Sequence, residues 1–232
     1  MKSNELKAAF DQQAAGYDQH WSRLAPIRES LHFLLEAVFA ELPENARILT
    51  VGVGTGAELG HLAKRFARAR FIAVEPSPAM LNLCRERARQ EGFFSRCEFH
   101  EGYVETLPGG EPCHAATSLL VSQFILDRQA RVDFFRAIAA RLIPAGILAT
   151  SDLASEVGTA QHEALVGAWM NMMAGAGIAP EAREKMREAW KKDVAILPPA
   201  EVASLIEVGG FDVPTRFHQA GLIHAWFARR RA

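Results

Sequence analysis

The stretch ILTVGVGTGAELG, residues 48–60, decides the fold of this chain. Residues 47–51, RILTV, are mostly apolar or β-branched, which is typical of a buried strand. An amphipathic helical pattern follows the glycines. Gly52, Gly54 and Gly56 lie between the two. Glycines let a strand-to-helix turn close tightly and approach a ligand, because a Cβ would clash or forbid the dihedral angles. The segment alone also fits a tight turn that binds nothing.

Strand-like runs alternate with helical stretches along the chain, as in βαβ units around a parallel sheet. We predict helices over residues 5–20, 27–42, 57–68, 78–90, 131–142 and 199–208, and strands over 47–51, 71–74, 97–100, 115–121 and 146–151. Residues 155–192 have only helical patterning and are predicted to be an insertion. Residues 211–217 and 222–229 are predicted to form a hairpin at an antiparallel edge. The predicted fold is α/β, a doubly wound, mostly parallel, seven-stranded sheet.

Composition is consistent with one domain over residues 1–232, since the chain can bury a sizeable core with 49% hydrophobic residues. A formal net charge of −1 argues against nucleic-acid or anionic-membrane partners. The three cysteines have neither zinc spacing nor a disulfide pattern. The N-terminus is polar and no apolar run approaches the roughly 20 residues of a membrane span. We therefore expect a soluble, cytoplasmic protein.

A carboxylate, Glu75, follows Gly56 by 19 residues. Glu75 lies at the end of the second predicted strand, where it can accept hydrogen bonds from both hydroxyls of a ribose. Ligands of open α/β sheets bind outside the carboxyl ends of the strands, so a nucleoside-type cofactor is favoured. The loop is G-x-G-x-G rather than the dinucleotide G-x-G-x-x-G, but Ala57 is tolerated at the last position of that pattern, and spacing alone does not exclude NAD.

Five segments, taken together, resemble the successive motifs of class I S-adenosylmethionine (SAM)-dependent methyltransferases. They are ILTVGVGTGAELGHLA, FIAVEPSPAMLNLCRERA, FHEGYVETLP, AATSLLVSQFIL and LIPAGILATSDL, in the family's order and spacing over residues 45–153. The resemblance implies a Rossmann-like methyltransferase fold, with SAM as cofactor and S-adenosylhomocysteine (SAH) as product. It also implies methyl transfer to a small-molecule acceptor, whose identity the sequence leaves open.

The resemblance also implies site residues. Gly52, Gly54 and Gly56 match the loop along the methionine part of SAM, and Glu75 matches the ribose-binding acid. The other matching positions are Met80, Tyr103 and Val104 beside the adenine, within or near the loop 102–105, and Val121, Ser122 and Gln123 at the end of the fourth strand beside the transferred methyl group.

Two positions depart from the family pattern. Thr50 stands where the family usually has an acid, and a hydroxyl cannot pair with an ammonium group as a carboxylate does. Tyr103 stands where the family commonly has Asp; its ring could stack on the adenine but offers no charged acceptor. Both changes predict weaker SAM binding on an unchanged fold.

Two further segments resemble parts of the family's ligand-binding machinery. Residues 10–21, FDQQAAGYDQHW, resemble the stretch that folds over SAM, so residues 1–42 form a candidate helical lid with Tyr17 as its candidate lid residue; simple packing on the sheet fits equally well. The insertion is rich in Trp and Met, and Leu165, Trp169 and Met172 share one helical face. Core packing, a homodimer interface and a substrate pocket all fit this set of residues, which also includes Met170, Met173 and Trp190.

No catalytic base is assigned. SAM is already activated, so alignment of the acceptor can supply on the order of 7–11 kcal/mol, and a base is optional. The candidate histidines, each of which also fits a surface or structural role, are His20, His162, His218 and His224. The absence of an H-x-x-x-H or H-E-x-x-H pattern disfavours a metal-assisted mechanism.

Alternatives remain open beside a small-molecule methyltransferase. A tRNA-modifying relative is disfavoured by the near-neutral charge. A SAM-using enzyme that does not transfer methyl, of the carboxy-SAM synthase type, shares the N-terminal segment and the size. A catalytically silent SAM-binding sensor is suggested by Thr50 and Tyr103, and an NAD-dependent reductase is a more distant alternative.

Overall fold

A seven-stranded sheet forms the centre of the computed structural model, which describes residues 3–175 and 178–232. Its strands are β1 Arg47–Val51, β2 Arg70–Glu75, β3 Cys97–Glu101, β4 Cys113–Leu119, β5 Leu142–Leu153, β6 Thr215–Ala220 and β7 Ile223–Arg229. The order is β3-β2-β1-β4-β5-β7-β6. Strands β1 to β5 pair in parallel, and β7 is antiparallel to both neighbours. The predicted fold class is confirmed.

Helices cover both faces of this sheet. They are α1 Ser3–Gln13, α2 Tyr17–His20, α3 Ala25–Val38, α4 Ala57–Arg65, α5 Pro78–Gln90, α6 Arg128–Ala139, α7 Ala160–Gly175, α8 Pro180–Asp193 and α9 Pro199–Val208. Apolar side chains of α3, α4 and α5 form one core with the sheet, and those of α6 and α9 form another. The sheet is therefore doubly wound.

Alternate residues of each central strand belong to different cores, one on each face of the sheet. Ile48 belongs to the core under α4, whereas its neighbour Leu49 belongs to the core under α6, because successive strand residues point to opposite faces. Both are fully buried. Burial on both faces explains the continuous apolar runs of the parallel strands.

The helical insertion packs on the ends of β5 and β7. Trp169 and Met173 of α7 are buried in a third cluster with Leu153 and Leu222, and Trp21 packs against the same cluster. The buried face of α7 differs from the predicted one, since Met172 is 37% exposed. Core packing therefore accounts for Trp169 and Met173.

Four predicted helices have different bounds. Those predicted over residues 27–42 and 57–68 are observed as Ala25–Val38 and Ala57–Arg65. The helix predicted over residues 5–20 is interrupted by a 3₁₀ turn over Ala14–Gly16, which separates α1 from α2. The helix predicted over residues 131–142 begins earlier because the Asp127 carboxylate caps it, accepting a hydrogen bond from the Ala130 N–H at 2.8 Å. Its predicted last residue, Leu142, instead begins β5.

Several predicted strands are also corrected. The strand predicted over residues 146–151 is longer and spans Leu142–Leu153. The strand predicted over residues 115–121 ends at Leu119, since Leu120 has a φ of 57°, a left-handed conformation that leaves the strand. The hairpin strand predicted over residues 211–217 begins only at Thr215, after Pro214, which has no N–H to donate to a ladder.

No helix in the described part of the chain is long and apolar enough to cross a membrane.

Candidate functional site

The three glycines after β1 are required for different reasons. Gly52, Gly54 and Gly56 have φ values of 70°, 55° and 83°, which L-residues adopt at a cost. A Cβ on Gly52 would lie 2.4 Å from Val121 Cγ2, and one on Gly56 would lie 2.7 Å from Cys84 Sγ. A Cβ on Gly54 would meet no atom within 4 Å. Gly52 and Gly56 therefore allow close packing, whereas Gly54 faces open space.

Glu75 ties this loop to the end of β2. Its Oε2 accepts a hydrogen bond from the Gly54 N–H at 3.0 Å, and its Oε1 accepts one from the Ser77 N–H at 3.0 Å. The residue is only 6% exposed. Burial raises the pKa of the carboxyl, and the two N–H donors oppose that rise. Each oxygen retains a lone pair for a further donor.

The other predicted site residues follow the ends of neighbouring strands. Met80, in the first turn of α5, and Val104, after β3, are each 1% exposed, whereas Tyr103 is 40% exposed. Val121 packs against Gly52. It immediately precedes a 3₁₀ turn and lies outside β4, in which it was predicted. The structure thus brings these positions to one edge of the sheet.

Thr50 is fully buried in β1. Its hydroxyl donates a hydrogen bond to the Ile72 carbonyl of β2 at 3.2 Å. Its parallel neighbour is Thr117 of β4. The hydroxyl that replaces the family's carboxylate therefore donates its hydrogen bond to the sheet itself.

Two aspartates fasten the N-terminal helices to this edge. Asp11 accepts hydrogen bonds from the Ser77 hydroxyl and from the Ala79 N–H, the latter at 3.2 Å. The Ser77 hydroxyl, above all, lowers the pKa of Asp11. Asp18 accepts from the Thr55 hydroxyl at 2.7 Å and pairs with Arg87. The chain before β1 is held against both the glycine loop and α5.

Tyr17 belongs to this N-terminal segment and lies near the Glu75 carboxylate at the end of β2. Its ring centroid is 6.4 Å from that of Phe10 and 6.3 Å from that of Trp21. Burial raises the pKa of Tyr17 to about 12, and the Glu75 and Asp18 carboxylates add to the rise. The phenol therefore remains protonated and can donate a hydrogen bond.

Sequence reasoning missed the residues that fasten this segment. Asp18 stands next to Tyr17, and Ser77 precedes Pro78, which is a helix N-terminal signature. These local signals were available. Their partners lie 37 to 69 residues away along the chain, so the pairing becomes visible only in the fold.

A buried ion pair lies at the carboxyl end of β5, where Asp152 is the last residue but one. Asp152 is fully buried and accepts hydrogen bonds from the Ser122 hydroxyl at 2.7 Å and the Gln123 N–H at 2.8 Å. Arg131 of α6, also fully buried, places Nη2 3.0 Å from the Asp152 carboxylate. Burial raises the pKa of Asp152, and the guanidinium opposes that rise.

The same network fixes the segment after α8. Arg131 Nη1 donates to the Ala195 carbonyl at 3.2 Å, and the Ala195 N–H donates to the Gln123 carbonyl at 2.7 Å. The Gln123 side-chain oxygen accepts from the Leu153 N–H at 2.7 Å. Ser122 and Gln123, which sequence matching placed beside the methyl-transfer centre, are therefore structural partners of Asp152.

The candidate histidines have different environments. His20 is exposed, and His162 is 8% exposed with Nδ1 unpaired among the described residues. Burial lowers the pKa of His218. Burial also lowers the pKa of His224 to about 4, aided by Arg216 and His218. A base with so low a pKa is poorly matched to neutral pH, and we assign none of the four.

The known proteins that this chain resembles in sequence are methyltransferases. Residues 48–146 match the family described as a methyltransferase domain. Erythromycin 3''-O-methyltransferase of Saccharopolyspora erythraea is 33% identical over 115 residues, 49% of this chain and 37% of the relative. Malonyl-(acyl-carrier protein) O-methyltransferase of Geobacter sulfurreducens is 35% identical over 82 residues, 35% of this chain and 30% of the relative. The chain thus matches about a third of each curated relative's length.

Solved structures share the fold at low identity. DhpI, in complex with SAH, has a TM-score of 0.66 and 13% identity, with 97% of this chain and 95% of DhpI covered. An O-methyltransferase family protein from Burkholderia thailandensis has a TM-score of 0.65 and 14% identity, with 100% of this chain and 61% of that protein covered. The fold is that of the Rossmann-like methyltransferases. The matched methyltransferase domain and the two O-methyltransferase relatives support a class I SAM-dependent methyltransferase.

Gly54→Ala and Gly56→Ala should separate the two roles of the loop. Both substitutions impose left-handed backbone on alanine, at about 1–2 kcal/mol. Gly56→Ala also forces a Cβ against Cys84, which adds roughly 1–3 kcal/mol. Urea unfolding should therefore show a larger loss for Gly56→Ala, and an equal loss in both variants would refute the close-packing role.

Arg131→Met should destabilise the protein by about 3–5 kcal/mol, because Asp152 is left buried without its cation. Loss of the guanidinium raises the Asp152 pKa further, so the folded state binds the proton more readily than the unfolded state. The deficit should then shrink as the pH falls from about 7.

The matched control for this pair is Arg131→Met with Asp152→Asn, which removes both charges and should recover most of the stability. Urea unfolding across the pH range measures all three proteins. If Arg131→Met alone lowers the free energy of unfolding by less than about 1 kcal/mol, the ion pair does not stabilise this edge.

Proposed function

We propose that the protein transfers a methyl group from SAM to an oxygen atom of a small organic molecule. The observation that carries this proposal is the Glu75 carboxylate, held by the Gly54 N–H at the carboxyl edge of the sheet, with open space in front of Gly54. Matches to two O-methyltransferases support oxygen as the acceptor atom.

The residues at this edge fit SAM. Gly54 leaves room for a chain to cross the loop, and the free lone pairs of Glu75 suit the two ribose hydroxyls. We assign Gly52, Gly54 and Gly56 to the methionine part and Val121 to its flank. The remaining assignments are Glu75 to the ribose, Met80, Tyr103 and Val104 to the adenine, and Tyr17 to the covering lid over residues 1–42.

Bound SAM supplies a methyl group already activated by the sulfonium. The protein's contribution is positioning: the loop and Glu75 fix the cofactor, while the N-terminal helices exclude water from it. Asp11 and Asp18 hold those helices closed. An acceptor hydroxyl aligned in this enclosure needs no metal and no dedicated histidine.

The acceptor would lie between the lid and the insertion over residues 155–192. Trp21, Met170 and Trp190 are partly buried there around the Trp169 ring, whose centroid is 5.7 Å from that of Trp190. Aromatic and thioether side chains suit an adaptable apolar ligand. A small, largely apolar acceptor in the cytoplasm is the partner we propose.

Glu75→Gln tests the cofactor assignment. An amide keeps the size of the side chain but presents an NH₂ group to the loop and loses the ionised acceptor, so SAH affinity should fall about tenfold or more. Isothermal titration calorimetry measures this, with Glu111→Gln as the matched control because it removes an exposed carboxylate at the amino edge of the sheet. An affinity for SAH in Glu75→Gln within about twofold of wild type would overturn the assignment.

Turnover is tested separately by following SAH formation across small hydroxyl and carboxyl acceptors. Methylation of at least one acceptor class is expected. SAM binding with no turnover on any of them would instead favour the SAM-using enzyme that does not transfer methyl, or the silent sensor.

A further inference from the structure

A second carboxyl lies directly behind the glycine loop. Glu58 is in the first turn of α4, two residues after Gly56. Its Oε1 is buried, and it has no hydrogen-bond partner in the described part of the protein. Burial raises the pKa of Glu58 to about 7, and the nearby Thr117 hydroxyl opposes the rise. The Thr117 Oγ1 is likewise buried and without a well-formed hydrogen bond among described residues.

Thr50 and Thr117 share the face of the sheet that α4 covers. They are register partners in neighbouring parallel strands. Ile48 and Ala115, two residues earlier in each strand, pack in the core that contains Leu59 of α4, and residues two apart point to the same face. The carboxyl of Glu58 therefore lies over the pair of strands that carries Thr50 and Thr117.

None of the cations near α4 that the structure describes pairs with Glu58. On α3, the charge of Arg28 acts to lower the pKa of Tyr17 and of His32. Glu36 of α3 pairs with Arg65 and His61 of α4. The positive end of the α4 dipole favours a carboxylate there. Leaving the buried Oε1 without a hydrogen bond is nevertheless costly when the carboxyl is ionised. A pKa of about 7 keeps Glu58 between its neutral and charged forms, so a cation brought by a ligand would stabilise the charged form.

We propose that Glu58 binds the amino group at the amino-acid end of SAM, with Thr50 and Thr117 lining the same recess. This inference rests on the proposed use of SAM. The amino-acid end runs along the glycine loop, Gly54 leaves that loop open, and Glu58 follows the loop at the start of α4. The carboxylate that position 50 lacks is thus supplied from the helix.

Calorimetry with two ligands isolates this contact. SAH carries the amino group, whereas 5′-methylthioadenosine lacks the whole amino-acid end. Glu58→Gln should weaken SAH binding about tenfold or more, as expected for loss of a charge-assisted hydrogen bond. Binding of 5′-methylthioadenosine should change by less than about twofold, and Glu111→Gln should leave both affinities unchanged.

A wild-type measurement makes the test independent of variant folding. Because Glu58 must be ionised to accept the ammonium, SAH affinity should rise about tenfold between pH 6 and 8, while 5′-methylthioadenosine affinity stays nearly flat. The second ligand also controls for any pH effect that does not involve the amino-acid end of SAH.

Three outcomes are distinguishable. Loss confined to SAH, with the pH dependence, supports Glu58 as the amino-group anchor. Equal weakening of both ligands in Glu58→Gln, or unchanged SAH binding, overturns the anchor but leaves the proposed function standing. If neither ligand binds the wild type, the proposed function fails and the anchor fails with it.

Discussion

The hydrogen bond from the Gly54 N–H to the Glu75 carboxylate is the contact on which the carboxyl edge depends. A loop of left-handed glycines makes few of the bonds that hold regular structure. Here the end of β2 supplies them: the N–H groups of Gly52 and Val53 both donate to the Val74 carbonyl, at 2.8 and 3.1 Å. Glu75 then bonds the loop and the start of α5 together. One strand end therefore sets the shape of two ligand-facing loops.

The two halves of this edge satisfy their buried carboxylates differently. Around Glu75 the donors are two backbone N–H groups, which leave lone pairs for a ligand. Around Asp152 the donors include a buried guanidinium, and the network also fixes the segment at Ala195. The first arrangement suits a site that exchanges ligands, and the second suits a rigid wall beside it.

Much of this fold is present in the sequence as periodicity. The strand at residues 47–51 and the helices at 78–90 and 199–208 were predicted with their observed bounds, because apolar spacing and proline or glycine ends are local signals. Leu120 was missed because nothing in the sequence marks its left-handed backbone. Glu75 was found because it ends a strand. Asp152 also lies near the end of a strand, yet its role depends on Arg131, a partner that only the fold brings close to it.

Glu58 was not identified from the sequence because its position looks ordinary. A glutamate in the first turn of an amphipathic helix is what an exposed helix start contains. Burial raises the pKa of both Glu75 and Glu58. Glu75 has two N–H donors, whereas the buried Oε1 of Glu58 has none among the residues that the structure describes. A buried polar atom without a partner costs stability. A ligand that supplies the missing partner removes that cost as it binds, so at this position binding and stability are coupled through one oxygen atom.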